Sequence, residues 1–185
     1  GTKYFDKLPL NMTVTSTVDR DDFTVNNIYF QTQPDVYATA NLYVPKGKGV
    51  FPAIVLMMGH SRNGKLYSNY QSVGQSLAQE GYVVIAIDPW GAGERTTEHG
   101  DFEYHGSALG ASLYTVGESL LGMQLTDNRR AIDLLESLPY VDKNKIGATG
   151  ASGGGNQTMW LAAMDERVKA AMPVVSVGTF HSYIM

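Results

Sequence analysis

Lys145-Ile146-Gly147-Ala148-Thr149-Gly150-Ala151-Ser152-Gly153-Gly154-Gly155 reads as a short buried strand that turns, through Gly-x-Ser-x-Gly, into the amphipathic stretch 156–164. A serine on so sharp a strand-to-helix turn is lifted out of the sheet with its hydroxyl exposed. Small residues on either side let strand and helix cross without a Cβ clash. The spacing therefore predicts a nucleophile elbow with Ser152 at its tip. The competing reading is a Gly-rich loop whose serine only caps the following helix. It is weakened by what comes before: residues 127–138 repeat apolar side chains at helical spacing, followed by Pro139 and a turn through Asp142-Lys143-Asn144. A helix thus delivers the chain to the strand.

Further toward the N-terminus, 52–58 is a continuous apolar run of the kind required by a strand covered on both faces. In 68–80, Tyr70, Val73 and Leu77 share a helical face that ends at Gly81, and 82–87 is a second buried strand. Together these make a β-α-β unit. The first fifty residues contain three β-like runs, 12–18, 23–31 and 36–44, broken at 19–22 and 33–35, which predict antiparallel strands at a sheet edge. From Thr96 to Gly117, which includes His99 and His105, the pattern is irregular, and 168–177 predicts one more buried strand. With no internal repeat or linker, 1–185 reads as a single α/β domain.

The 43% hydrophobic and 17% charged composition is that of a folded globular chain. A net charge of −4 without a basic, aromatic-studded stripe argues against nucleic acid or anionic membrane as partners. Absence of cysteine excludes disulfides, thiolate metal sites and a cysteine nucleophile, and leaves the compartment open, export to periplasm or medium included. The apolar runs are far shorter than a membrane span.

The order of antiparallel strands, a buried strand ending in Met58-Gly59-His60, a helix, a strand ending in Asp88-Pro89-Trp90-Gly91-Ala92-Gly93, a helix, and Gly150-Ala151-Ser152-Gly153-Gly154 resembles the α/β-hydrolase superfamily. Within it, 147–158 and the Asp88 loop resemble acetyl xylan esterases and their dienelactone-hydrolase-like relatives. The resemblance implies a mostly parallel sheet with antiparallel N-terminal strands and a serine carboxylic-ester hydrolase acting through an acyl-enzyme on Ser152. It implies an oxyanion hole from the backbone N–H groups of Gly153 and His60, or of Ser61 in place of His60. It implies no metal or organic cofactor, and small-molecule or carbohydrate esters as substrates.

A second serine competes, because Gly59-His60-Ser61-Arg62-Asn63-Gly64-Lys65 resembles the nucleophile motif of glucuronoyl esterases. Topology disfavours Ser61, since an elbow should lie two parallel strands later, and Arg62 and Lys65 then read as residues of the cleft mouth or a helix start. Trp90 and Glu94 are candidate pocket residues, with packing the competing reading for Trp90. Glu94 beside Arg95 suggests an ion pair at the cleft rim rather than a catalytic acid, and Asp88 a brace for its own turn.

In this superfamily the acid and the histidine follow the serine. Only His181 does so here, too early for the family's base. The chain thus reads as an incomplete hydrolase domain whose base and acid lie in a C-terminal remainder. The competing readings are a second polypeptide that completes it, a non-catalytic binding or assembly module, and a peptidase or dienelactone-type hydrolase.

Overall fold

The computed structural model describes residues 4–96, 107–179 and 181. Seven strands form one mixed sheet in the order β1-β2-β3-β5-β4-β6-β7. β1 (Thr13–Asp19), β2 (Phe23–Gln33) and β3 (Val36–Pro45) are an antiparallel meander at one edge. β4 (Phe51–Met57), β5 (Val83–Ile87), β6 (Val141–Ala151) and β7 (Val168–Val174) run parallel to one another. β5 also pairs antiparallel with β3, joining the two halves.

The apolar runs in β4 and β5 have the expected cause. Side chains alternate between the sheet faces, and both faces are covered. Ala53, Val55 and Met57 pack with Ile132, Leu135 and Leu161 of α3 (Leu120–Ser137) and α4 (Gly153–Met164). Leu56 and Val84 face Ala78 of α1 (Ser68–Gln79) on the other side. α1 packs closely because Gly74 lies against the Tyr43 ring, where a Cβ would come within 2.7 Å of Cε2. Ser119 caps α3, its hydroxyl accepting from the Gly122 N–H at 3.1 Å.

Several local expectations are corrected. The stretch 168–177 is not a buried strand: β7 ends at Val174, and Ala170, Ala171, Met172 and Val174 are exposed. Among the described residues β7 pairs only with β6, and its α1 side opens into an apolar hollow of about 340 Å³ shared with Tyr70, Val73 and Leu77. Val73, expected to pack with Tyr70 and Leu77, is accordingly 41% exposed. The stretch read as irregular contains a helix, α2 (Ser107–Thr115), whose Ser112 and Thr115 hydroxyls bond carbonyls of the preceding turn. His99 and His105 lie outside the described residues.

The turn at Asp142-Lys143-Asn144 sits inside β6 as a bulge closed by the Asn144 N–H on Asp142 Oδ1 at 3.0 Å. α4 begins at Gly153 and buries Gln157 and Thr158 beside Leu161, where an amphipathic stripe was expected. No helix among the described residues is long and apolar enough to cross a membrane.

Arg167, between α4 and β7, gathers Asp133 at 2.6 Å, Glu136 at 2.9 Å and Asp165 at 2.7 Å, and reaches the Tyr4 hydroxyl at 3.2 Å. Burial works to raise the Asp165 pKa. The hydrogen bonds and charge of Arg167, with a bond from Arg129, outweigh it and hold the carboxyl below the usual carboxylate range. A folded value below the unfolded one of about 3.9 gives stability that is present above that value and is lost as pH falls through the folded one. Arg167→Gln should therefore lower the urea midpoint at pH 7 and make its decline as pH falls below about 4 shallower than in the unsubstituted protein. Parallel declines would disprove the assignment.

Candidate active site

β4 and β6 are neighbours, yet the chain leaving β4 goes to α1 on one face and the chain leaving β6 goes to α4 on the other. Outgoing connections that diverge at the carboxyl ends of adjacent parallel strands open a crevice, where open α/β sheets hold their ligands. Ser152 stands in it. Its backbone has φ 58° and ψ −119°, a left-sided conformation that costs a non-glycine residue of order 1–3 kcal/mol and persists only where the surroundings impose it.

The surroundings that impose it are backbone atoms. Ser152 N–H donates to the Val174 carbonyl at 2.9 Å, and Ser152 C=O accepts from the Asn156 N–H at 3.0 Å. α4 crosses β4 so closely that a Cβ on Gly154 would lie 2.1 Å from the Met57 carbonyl oxygen. One on Gly150 would lie 2.4 Å from the same atom. The glycines of the motif are thus required by the crossing itself.

Across the crevice, the His60 imidazole Nδ1 lies 2.9 Å from Ser152 Oγ. Its ring sits over Gly153, where a Cβ would be 3.0 Å from both Cε1 and Nε2. Gly153 opens α4, so helix geometry gives its N–H no acceptor within the helix and leaves it at the positive end of the helix dipole. The structure therefore brings Ser152, Gly153 and His60 together. Ser61 lies on the same loop, its N–H turned back to the Gly59 carbonyl at 3.0 Å.

Two braces hold the loop that carries His60. The Tyr70 hydroxyl accepts from the Gly59 N–H at 2.6 Å and donates to the Ala151 carbonyl at 3.3 Å, bridging this loop to the elbow. Burial raises the Tyr70 pKa, with a smaller rise from Tyr67, against the opposing Gly59 N–H, so the phenol stays a donor. Deeper in, Asn128 Nδ2 donates to Gln157 Oε1 at 3.0 Å, and Gln157 Nε2 to the Met58 carbonyl at 3.2 Å. Tyr70→Phe leaves the Gly59 N–H without its acceptor. It should destabilise the protein by about 1–3 kcal/mol, read as a lower urea midpoint at unchanged m; an unchanged midpoint would show the bridge to be dispensable.

The other sequence candidates have different partners. The Trp90 indole N–H donates to Asp127 Oδ2 at 2.7 Å, and the Arg95 guanidinium stacks 4.2 Å from the ring centroid. Glu94 pairs with Lys65 rather than with Arg95, which pairs with the buried Asp127. Asp88 is fully buried and braces more than its own turn, because Lys65 also pairs with it. Lys65, read as a residue of the mouth or a helix start, is the second residue of a 3₁₀ turn (Gly64–Leu66), but it is only 3% exposed. Sequence reasoning missed Tyr70 and Gln157 as parts of the site, and missed the burial of Lys65. Their signal was faint: a tyrosine on a packing face, a glutamine just past the elbow and a lysine after a glycine.

The family model for acetyl xylan esterase (AXE1) matches residues 5–181. YtaP of Bacillus subtilis, a hydrolase by name, is 27% identical over 97% of this chain and 62% of its own length. Methylesterase BT1017 superposes with a TM-score of 0.79 at 28% identity, over 92% of this chain and 36% of that one. The acetyl xylan esterase of a Paenibacillus species superposes with a TM-score of 0.68 at 21% identity, over 89% and 54%, a likeness of fold. The chain thus spans about a third to two thirds of the length of these relatives.

Proposed function

Because the chain belongs to the acetyl xylan esterase family and has an α/β-hydrolase fold, we propose that Ser152 is the nucleophile of a carboxylic-ester hydrolase. Its substrates are short acyl groups on carbohydrate or similar alcohols. The observation that carries the reading is Ser152 at φ 58°, with its hydroxyl 2.9 Å from an imidazole, in the crevice between β4 and β6.

In this reading Ser152 Oγ attacks the ester carbonyl carbon and gives up its proton to a histidine. The carbonyl oxygen gains negative charge and is met by the N–H groups of Gly153 and His60. Two amides fixed in advance act at the atom where charge develops, and removal of one such donor typically costs about 3–4 kcal/mol of barrier. Collapse of the intermediate expels the alcohol, which takes the proton, and leaves the acyl group on Ser152 for water to remove. The base and its orienting carboxylate are assigned to later positions of the full-length polypeptide, in keeping with the greater length of its relatives. The His60 ring orients the Ser152 hydroxyl.

The test is rapid-mixing hydrolysis of p-nitrophenyl acetate by the full-length protein, followed by acetate release from acetylated xylan. A nitrophenolate burst of about one equivalent per protein, then steady turnover, is expected of an acyl-enzyme. Absence of both burst and turnover, together with carbohydrate binding, would instead support a binding module. Likeness to a methylesterase makes a methyl ester the comparison substrate.

A further inference from the structure

Lys65 spans two loops that the crevice depends on. Its backbone N–H donates to Asp88 Oδ1 at 2.8 Å, while its ammonium pairs with Asp88 Oδ2 and with Glu94 Oε2. One residue therefore engages both oxygens of the same buried carboxylate, which fixes its main chain as well as its side chain relative to Asp88. The carboxylate is further held by the Thr39 hydroxyl at 2.7 Å and the Glu94 N–H at 3.3 Å. Gly64 and Gly93 wrap it closely, and a Cβ on either would lie 2.1 or 2.2 Å from Oδ1. A second link between the loops runs from the Gly93 N–H to the Arg62 carbonyl at 3.0 Å.

From Lys65 back to His60 the chain is a series of tight turns, with Gly64 N–H on the Ser61 carbonyl and Ser61 N–H on the Gly59 carbonyl, each at 3.0 Å. Such a segment has little slack, so a shift at Lys65 is passed to His60. The far end, at Gly59, is held by Tyr70.

We propose that Lys65 is a positioning residue for the oxyanion hole: bound to Asp88 and Glu94, it locks the 59–66 loop against the 88–95 loop and so fixes the His60 N–H opposite Ser152. The inference rests on the esterase reading above. A lysine suits the task because its ammonium has three donors on a long apolar stem, which serves an exposed carboxylate and a buried one at once. Glu94 is the exposed partner, its side chain 65% accessible, and Asp88 the buried one.

Breaking a buried pair on one side leaves an unpaired charge, whereas neutralising both sides is often tolerated. Full-length Lys65→Met and Lys65→Met/Asp88→Asn are therefore compared with the unsubstituted protein for Tm and for kcat and KM on p-nitrophenyl acetate. They are also compared on the corresponding thionoester, whose sulfur accepts the hole's hydrogen bonds poorly. The double variant carries no unpaired charge but sets one amide NH2 against a backbone donor, so positioning predicts that it regains part of the Tm lost in Lys65→Met yet keeps a kcat at least about tenfold lower at unchanged KM. Its preference for ester over thionoester should fall in step.

A double variant with restored Tm and wild-type kcat, or a loss confined to KM, overturns the proposal. So does a double variant that fails to fold, since the pair then serves the core rather than the loop. If the unsubstituted full-length protein does not turn over ester, it is the esterase reading that fails.

Discussion

Ser152→Ala should lower kcat/KM for p-nitrophenyl acetate by about 10⁴-fold or more, with KM little changed, because the bond-forming oxygen is removed while the crevice is left intact. The fold should not notice. Alanine keeps the Cβ, and the Ser152 main-chain bonds to Val174 and Asn156 do not involve the hydroxyl. Ser152→Gly makes the stronger statement about the elbow. It removes the same oxygen, and glycine accepts φ 58° without the strain carried by serine. This inactive variant should be at least as stable as the unsubstituted protein, because relief of strain offsets the entropy of a freer unfolded chain. An active Ser152→Ala, or a Ser152→Gly destabilised by several degrees, would contradict the account.

Gly154→Ala should have the largest effect on stability of any single methyl group added to the elbow. The new carbon would meet Met57 oxygen at 2.1 Å and Met57 and Met58 carbonyl carbons at 2.9 and 3.1 Å, all backbone atoms of the central strand and its exit. No side chain can swing aside, so α4 must move off β4. Overpacking of this kind costs about 3 kcal/mol or more, or about 6–12 °C in Tm for a chain of this size. Because Ser152 immediately precedes α4, the molecules that remain folded should also lose kcat. Thermal unfolding monitored by circular dichroism, with kcat measured below the transition, tests both parts; an unchanged Tm would mean that the crossing is looser than these distances.

The elbow and the central strands were legible in the sequence because local chemistry encodes them. Gly150, Ser152 and Gly154 lie at the spacing that a strand-to-helix crossing requires. The apolar runs of β4 and β5 have the length and uniformity of strands covered on both faces. The burial of β7 was misjudged on the same logic, since an apolar run indicates what a strand can bury and not whether something covers it. Met172, 64% exposed, is the plainest example.

The site was legible as far as the backbone. The turn singled out Ser152 as the exposed serine, while the His60 ring beside it depends on a rotamer that no local pattern records. Lys65 was misplaced for a related reason. A lysine among Asn63, Gly64 and Leu66 looks like a surface residue until the 88–95 loop folds over it, and the burial of Asp88 follows from strand order rather than from its neighbours in sequence. Gln157 and Asn128, 29 residues apart, meet only because α3 and α4 share a face of the sheet.

Covalent capture reports whether the hydroxyl at the β6–α4 turn is the reacting group. The full-length protein is incubated with a fluorophosphonate, digested, and the adduct located by mass spectrometry. One phosphonylated residue, Ser152, is expected, with labelling lost in Ser152→Ala. Label on Ser61 or any other residue, or no label on an enzyme that still hydrolyses p-nitrophenyl acetate, would contradict it.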